Sequence, residues 1–364
     1  MEYSCQRMLE KDSEIGYLIR ETQNNGTSLR KKINTLSFIY DAALTNTRHR
    51  RASVLTQVDN ALIDLLYQIP RINEQAGDIV RVGWDYRGKL SKPETQDALL
   101  VIDAKDFPTG DEMLGEETLA AYLVQAHERG WDNFMVFNAR GQKFIGTGFG
   151  MPKEKVSIDI FGDSGNYLGS GVQNTRVTVH GAAQDMAGQI MNGGLLVIHG
   201  DVGQTFMYSA KAGEAYVLGN AAGRPLINAV GSPRVVINGT CLDYLAESFM
   251  AGDPLNGGGF VILNGVKKTC EGLSELETPY PGGNLLSLAS GGAIYVRDPH
   301  RKVSDDQLNG GILTNVTRKD WEIVYPYLKK NEDLFDITID DLLSNKSFDQ
   351  AYRKVVPVHN KVLE

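Results

Sequence analysis

The stretch that decides the fold is a repeat between residues 156 and 317. Its clearest copies read VSIDIFG (Val156–Gly162), RVTVHG (Arg176–Gly181), LLVIHG (Leu195–Gly200), AYVLG (Ala215–Gly219), RVVING (Arg234–Gly239) and FVILNG (Phe260–Gly265). The closing glycines are 19, 19, 19, 20 and 26 residues apart. Two weaker copies, AIYVRD and ILTNVT, close at Asp298 and Thr317. A fixed period near 19 is typical of a stacked repeat protein and not of a globular α/β core.

Each copy offers one short β-branched strand, which can be buried only if it stacks on its neighbours about 4.8 Å away. Side chains alternate along a strand, so equivalent positions of all copies face the same way. The apolar positions two residues before the glycine point inward: Ile160, Val179, Ile198, Val217, Ile237 and Leu263. The position just before the glycine is mostly polar and suits a corner or an outer face: Phe161, His180, His199, Leu218, Asn238 and Asn264. The fold class is therefore predicted to be mainly β, as a right-handed parallel β-helix of about seven turns.

Glycines also mark the corners and interruptions of the repeat. Gly-Gly pairs place their second residue six positions before the closing residue, at Gly194, Gly259, Gly292 and Gly311. We expect these glycines to supply the positive φ that a sharp corner requires. The closing glycines Gly162, Gly181, Gly200, Gly219, Gly239 and Gly265 are predicted to be structural. The period lengthens after Gly239 and after Gly265, which predicts two inserted loops.

The flanking sequences predict helices and a small β-α-β unit. Apolar residues at helical spacing predict one helix from about residue 27 to 40 and a second that Pro70 ends. The apolar side of this hairpin must lie on the repeat or on another subunit. Strands at Ala98–Ala104 and Asn133–Ala139 flank a helix over Glu116–Arg129, while residues 71–97 are interpreted as a linker that ends in the polar stretch KLSKPETQD. The predicted organisation is a helical extension (1–97), a β-α-β lead-in (98–155), the repeat (156–317) and a helical cap with a tail (318–364).

Composition narrows the class of protein. The net charge of −8 over 364 residues argues against a general nucleic-acid binder. No apolar run approaches the roughly 18 residues of a membrane span, and the amino terminus shows no secretory signal. Three scattered cysteines, Cys5, Cys241 and Cys270, argue against a disulfide framework or an iron–sulfur ligand set. A cytoplasmic location is predicted.

The search for chemistry assigns no catalytic, cofactor-binding or metal-binding residue. Gly146-x-Gly148-x-Gly150 has the wrong spacing for a dinucleotide fingerprint, and Pro152 with a strand follows it. His180 and His199 fall in one column on adjacent copies, about 5 Å apart, and could share a metal. That column offers Phe161 and Leu218 next, so a stacked polar ladder is the preferred interpretation. Asp185 and Asp243 follow their closing glycines by four residues and are interpreted as turn-forming side chains.

The segment VTVHGAAQDMAGQIMNGGLLVIHGDVGQTF (Val177–Phe206) resembles the G-x-G-x-G β-helix domain at the carboxyl end of the glutamate synthase large subunit. This domain is also a separate chain in archaeal-type glutamate synthases and a supporting subunit in formylmethanofuran dehydrogenase. LLVIDAKDF (Leu99–Phe107), VFNARGQKFIGTGF (Val136–Phe149) and the ending VYPYLKKNEDLFDI (Val324–Ile337) with YRKVVPV (Tyr352–Val358) look like the family's flanks. The resemblance covers roughly residues 98–358.

The resemblance implies a non-catalytic scaffold subunit of a glutamate-synthase-like oxidoreductase complex in glutamate biosynthesis. FMN and iron–sulfur clusters are then expected on partner subunits, a flavin synthase and an amidotransferase, and none on this chain. A formylmethanofuran dehydrogenase type of complex remains an alternative with the same fold. A β-helix enzyme acting on carbohydrate is a further alternative, which predicts clustered exposed carboxylates; Asp185, Asp243 and Asp253 are instead scattered.

Overall fold

The structure is a computed structural model that describes residues 19, 28–44, 51–72, 77–85, 90–110, 115–151, 155–269 and 272–358. Within these ranges the chain is mainly β. The strands are β1 (Ile79–Val82), β2 (Leu99–Asp103), β3 (Asn133–Arg140), β4 (Val156–Asp163), β5 (Thr175–Val179), β6 (Asn192–Ile198), β7 (Ala212–Val217), β8 (Arg234–Ile237), β9 (Phe260–Leu263), β10 (Val266–Thr269), β11 (Gly272–Glu275), β12 (Ala293–Arg297), β13 (Gly311–Thr314) and β14 (Tyr352–Pro357). The α-helices are α1 (Leu29–Leu44), α2 (Arg51–Tyr67), α3 (Leu119–Glu128), α4 (Arg318–Phe335), α5 (Ile339–Leu343) and α6 (Phe348–Ala351).

Twelve of these strands form one large, mostly parallel sheet in the order β1-β2-β3-β4-β5-β6-β7-β8-β9-β12-β14-β13. Successive copies of the repeat pair at equivalent positions: Val177 is opposite Leu196, Leu196 opposite Ala215, and Ala215 opposite Val235. The predicted parallel stacking of β4 to β9 and β12 is confirmed. The apolar alternate positions lie in one continuous buried cluster, as the column pattern predicts.

A second, narrower parallel ladder follows the closing glycines. Bridges join five residues at the same position of successive copies: Ser164, Ala183, Val202, Ala221 and Cys241. Side chains reinforce this ladder, because Asp163 Oδ1 accepts from the amide of Ala182 at 2.8 Å and Asp201 Oδ1 accepts from that of Asn220 at 2.7 Å. Each copy is thus hydrogen-bonded to the next on two separate edges.

The closing glycines are needed mainly for close approach between copies. A Cβ on Gly200 would lie 2.7 Å from the carbonyl oxygen of Gly181, and φ at Gly200 lies outside the left-handed region. The expected positive φ in the Gly-Gly pairs holds for Gly194 (73°) and Gly292 (79°) and is wrong for Gly259 and Gly311. At Gly259 a Cβ would meet the Ala251 side chain at 2.7 Å, so space and not φ selects glycine there.

The carboxyl end departs from the repeat. The weak copy ending at Thr317 supplies β13, which pairs antiparallel with β14 and not with β12. The segment YRKVVPV, predicted as a tail, contains all of β14 and enters the sheet antiparallel to β12. Two further segments hold strands that the sequence did not predict: β1 in the expected linker, and the hairpin β10–β11 in the insertion after Gly265.

Two groups of helices cover the outer face of the sheet, whereas α3 packs into the inner apolar cluster through Leu119, Tyr122 and Leu123. The predicted hairpin α1–α2 packs on Leu99, Val101, Met135, Phe137 and Phe161 of β2 to β4, so its apolar side lies on the sheet. Helices α4, α5 and α6 cover β6 to β9, β12 and β14. Thr317 and Thr338 are the N-caps of α4 and α5, and Thr317 forms a capping box with Asp320. Among the described residues, no helix is both long and apolar enough to cross a membrane.

Candidate functional site

The column of residues just before the closing glycines runs along the outer face, in contact with the helices. The Phe161 and His180 rings stack at 4.2 Å and the His180 and His199 rings at 5.1 Å, as strands in register require. The stacked polar ladder that the sequence predicts is therefore present. The column lies on the outer face, as the sequence predicts, but the His180 side chain is only 8% exposed because α1 lies over it.

The covering helix brings a carboxylate to the two imidazoles. Asp41 of α1 places its Oδ1 2.5 Å from His180 Nδ1 and 3.5 Å from His199 Nδ1. One ligand atom from each of Asp41, His180 and His199 lies within 4.8 Å of the others. On the other side of the His180 ring, Asp159 Oδ1 lies 3.8 Å from Nε2. The third ligand that the column cannot supply thus comes from a residue 139 positions earlier in the chain.

The electrostatics of the two histidines differ strongly. Burial alone lowers the pKa of His180, but the Asp41 and Asp159 carboxylates override it and raise that pKa to about 9. Burial lowers the pKa of His199 to about 4, and the charge of His180 acts in the same direction against the attraction of Asp41. Near neutral pH, His180 therefore holds a proton toward the carboxylates while His199 is a neutral imidazole with a free lone pair.

A cavity of about 370 Å³ adjoins this cluster. His199 belongs to both, and Leu44, one helical turn after Asp41, also lines the cavity. Its lining carries both signs of charge: Lys267 and Lys268 come from β10, Asp201 lies two residues after His199, and the ammonium of Lys268 is 3.1 Å from the Asp336 carboxylate. The cluster is therefore not sealed on all sides, and a water or a small anion has room beside His199.

Farther along the outer face, the same column becomes a buried amide network. Asn238 donates to Asn331 Oδ1 of α4 at 2.8 Å, and Asn264 donates to Asn238 Oδ1 at 2.8 Å. The Tyr352 hydroxyl of β14 donates to Asn264 Oδ1, also at 2.8 Å. Every one of these side chains has a partner, which is what burial of polar groups requires. This part of the column fastens the carboxyl-terminal helices and leaves none of these four groups available for chemistry.

The carboxylates considered for catalysis accept hydrogen bonds from backbone amides instead. Asp185 Oδ1 accepts from the amide of Gln204 at 2.8 Å and Asp243 Oδ1 from that of Gly283 at 2.6 Å. They bond the next copy and not their own corner, so turn formation is the wrong description of their role. Asp253 caps a short 3-10 helix through the amide of Leu255 at 3.0 Å.

Other candidates from the sequence stay apart from the histidine cluster. Gly146, Gly148 and Gly150 lie in irregular structure, and the described residues between them and β4 (151 and 155) are not helical. Cys241 is buried, and burial raises the pKa of its thiol, which keeps it protonated. Cys5 and Cys270 lie outside the described residues. Asp41 and Asp159 are the site residues that sequence reasoning missed.

The sequence profile of the GXGXG motif family matches residues 133–358, which is more than half of the chain. The chain belongs to the GXGXG motif family. It is 28% identical over 269 residues to an uncharacterized protein of Methanocaldococcus jannaschii, covering 72% of this chain and 94% of that protein. It is also 28% identical over 202 residues to the glutamate synthase (NADPH) large chain of Azospirillum brasilense. That match covers 48% of this chain and 13% of the relative, so the chain corresponds to one module of a much longer protein.

Family membership confirms the resemblance found in the sequence. The matched range contains His180 and His199 but not Asp41, which lies in the amino-terminal helices. The histidine–aspartate cluster is therefore assembled from a family element and an element outside the family match.

Proposed function

We propose that the chain is a non-catalytic scaffold subunit of a glutamate-synthase-like, multi-subunit oxidoreductase complex. The observation that carries this proposal is the family match together with its extent, since the chain aligns with 13% of a glutamate synthase large chain. Catalytic subunits that bind this chain are proposed to supply the chemistry of such an enzyme. FMN and iron–sulfur clusters are accordingly assigned to partner subunits, and this chain to their support in the cytoplasm.

The proposal includes a specific shape for the repeat, a right-handed parallel β-helix of about seven turns. Two features support it: the main sheet and the ladder from Ser164 to Cys241 share the same period, and both are parallel across the repeat. A chain that adds one strand to the main sheet and one bridge to the second ladder every 19 or 20 residues is most simply a solenoid. Such a solenoid is stiff because each copy is hydrogen-bonded to both neighbours. A stiff repeat is suited to holding other subunits in place.

The scaffold proposal is also supported by how the repeat uses its carboxylates. Asp163, Asp185, Asp201 and Asp243 all accept hydrogen bonds from backbone amides of the following copy. A carbohydrate-active enzyme needs two carboxyl groups facing one another across a substrate. Side chains committed to backbone amides are poorly suited to that work.

Docking positions for partners are available on the repeat. Met250 and Leu288 are large apolar side chains that are 50% and 80% exposed. Apolar residues at this exposure on a rigid surface are suited to the core of a protein interface. A docking role for this side of the repeat is part of the proposal.

The test is purification of the tagged full chain from its native cell extract at low salt. Mass spectrometry, an absorbance spectrum and metal analysis of the eluate are then compared with the same extract carrying the untagged chain. The proposal predicts co-purified larger subunits with flavin and iron–sulfur absorbance, and glutamine-dependent glutamate formation in the eluate.

Two outcomes would contradict the proposal. Co-purified molybdenum or tungsten with the corresponding catalytic subunit would assign the chain to a formylmethanofuran dehydrogenase type of complex. A colourless chain that is recovered alone, with no protein enriched above the untagged control, would remove the scaffold proposal altogether.

A further inference from the structure

We propose that Asp41, His180 and His199 form a binding site for a divalent metal ion of the zinc class, which fastens helix α1 to strands β5 and β6. Two imidazoles and one carboxylate are a ligand set that Zn²⁺ accepts, with a fourth position left for water or another small ligand. The proposal is independent of the function proposed above, because it concerns only how this chain is held together.

The separations of the ligand atoms fit an ion of this size. Metal–ligand bonds of about 2.0–2.1 Å in a tetrahedral site place neighbouring ligand atoms about 3.3 Å apart. The His199 Nδ1 to Asp41 Oδ1 distance is already 3.5 Å. The His180 Nδ1 to Asp41 Oδ1 distance of 2.5 Å is that of a shared proton. It has to widen by roughly 0.8 Å when the ion replaces the proton, a shift that a rotation of the Asp41 side chain supplies.

The surroundings match those of a metal site in two respects. A ligating histidine usually directs its second ring nitrogen to a carboxylate, which orients the ring. His180 has a carboxylate on this side, since Asp159 Oδ1 lies 3.8 Å from Nε2, although the two atoms must approach further to form a direct hydrogen bond, while Nδ1 faces Asp41. The stacked ring of Phe161 and the edge-on contact between His199 and Phe335 hold both imidazole planes from either side.

The cavity beside His199 supplies the open side of the site. It is about 370 Å³ in volume, and its lining includes Leu44 of α1 and His199, which directly follows β6. A fourth ligand can therefore come from solvent without rearrangement of the sheet. The lining carries both signs of charge, from Asp201 as well as Lys267 and Lys268, so it does not select the charge of the fourth ligand.

An ordinary His–Asp ion pair is the competing explanation for this cluster. The requirement for His199 distinguishes a metal site from an ion pair. The Asp41–His180 contact needs no second histidine, whereas a metal site needs both. The chain offers a matched control in His127, which pairs with Asp132 at 2.8 Å and, among the described residues, belongs to no such cluster.

The experiment uses the full chain after treatment with EDTA. Zn²⁺ binding is measured by titration calorimetry and by zinc content after desalting, and Co²⁺ is added as a spectroscopic probe. We expect one Zn²⁺ per chain, visible Co²⁺ absorption of a four-coordinate site, and slower amide exchange in α1 when Zn²⁺ is bound. His199→Gln should weaken Zn²⁺ binding by a factor on the order of 100 and abolish the Co²⁺ spectrum, while His127→Gln should change neither.

Circular dichroism and thermal unfolding of the metal-free variants establish that His199→Gln folds. Asp41→Asn provides a second ligand variant from the helix side and should also lose the Co²⁺ spectrum. Failure of the wild-type chain to retain Zn²⁺ would overturn the proposal. Equal Zn²⁺ affinity in the folded His199→Gln variant would overturn it as well, since the ion would then be bound elsewhere.

Discussion

The two helical covers on the outer face of the sheet are attached in different ways. Helices α4 and α5 are tied to the sheet by buried polar groups: Asn331 to Asn238, and Asp320 to both Tyr295 and Lys354. Hairpin α1–α2 makes an apolar contact with β2 to β4, and its polar ties lie at the margins. One is Tyr67 with Asp103 at 2.6 Å, where Tyr67 is 38% exposed, and another is Asp41 with His180.

This difference indicates how firmly each group of helices is positioned on the sheet. A buried and fully satisfied polar network fixes one arrangement, because any displacement leaves polar groups without partners. An apolar contact tolerates small displacements at lower cost, so the margin contacts decide where the hairpin sits. The carboxyl-terminal cover therefore completes the fold, while the amino-terminal cover is positioned by a few side chains, with Asp41 prominent among them.

The largest effect is expected from breaking the network under α4. In Asp320→Ala the ammonium of Lys354, 10% exposed, loses the carboxylate oxygen that is 2.8 Å away. Removing one partner of a buried pair costs about 3–5 kcal/mol because the other charge stays buried. Urea denaturation should show this loss in the free energy of unfolding. Asp333→Asn, on the exposed side of the same helix, should change it by less than about 0.5 kcal/mol.

A cavity in the apolar contact of the hairpin should cost somewhat less. Leu66 of α2 is completely buried in this contact. Leu66→Ala should lower the free energy of unfolding by about 2–4 kcal/mol through lost burial and the cavity left behind. Amide exchange should accelerate in α1 and α2 and stay unchanged in α4. Uniform acceleration in both covers would show that they unfold together and would remove the distinction drawn here.

The margin contact should have a smaller effect that is confined to its surroundings. Asp41→Asn keeps the size of the side chain but removes the charge that faces His180. Hydrogen bonds to charged groups contribute about 1.5–3 kcal/mol, and in EDTA we expect a loss at the lower end because the Asp41 side chain is 25% exposed. Urea denaturation should therefore show a smaller loss in the free energy of unfolding for Asp41→Asn than for Asp320→Ala. A loss in Asp41→Asn as large as that in Asp320→Ala would contradict the ranking.

The 19-residue period of the sequence predicts the contacts between copies of the repeat but not the contacts with segments outside it. Equivalent positions 19 residues apart had to stack, so the inward column and the contact of His180 with His199 followed from spacing alone. Strand β14 was missed because it is antiparallel and follows three helices, where no period applies. Asp41 was missed for a related reason: nothing in a helical apolar pattern indicates which strand a polar residue will meet.

The structure was also needed to assign the role of each repeated glycine. From the sequence, a repeated glycine indicates either a positive φ or a close approach, and these cannot be separated. At Gly200 the structure shows close approach to the Gly181 carbonyl. At Gly194 it shows both, a φ of 73° and the Thr175 carbonyl oxygen close to where a Cβ would lie. The positions were predictable and the reasons were not.

The smallest expected effect is the pH dependence of the carboxyl-terminal cover. Burial raises the pKa of Asp320, but hydrogen bonds from Lys354, Thr317 and Tyr295 outweigh it and hold the pKa below the ordinary value of 3.8. A depressed carboxyl pKa contributes stability that is present above the unfolded value and lost as pH falls through the folded value. The stability difference between wild type and Asp320→Asn should therefore be constant above about pH 5 and shrink below pH 3.8. A difference that grows on acidification would contradict this assignment.

The most direct test of the two-cover account is hydrogen–deuterium exchange of the full chain, followed by mass spectrometry, without metal and with Zn²⁺. Without metal, amides of α1 and α2 should exchange faster than those of α4, because the hairpin opens without disturbing the buried network. Zn²⁺ should slow exchange in α1 and leave α4 unchanged. Equal exchange in both covers, with or without Zn²⁺, would contradict the account.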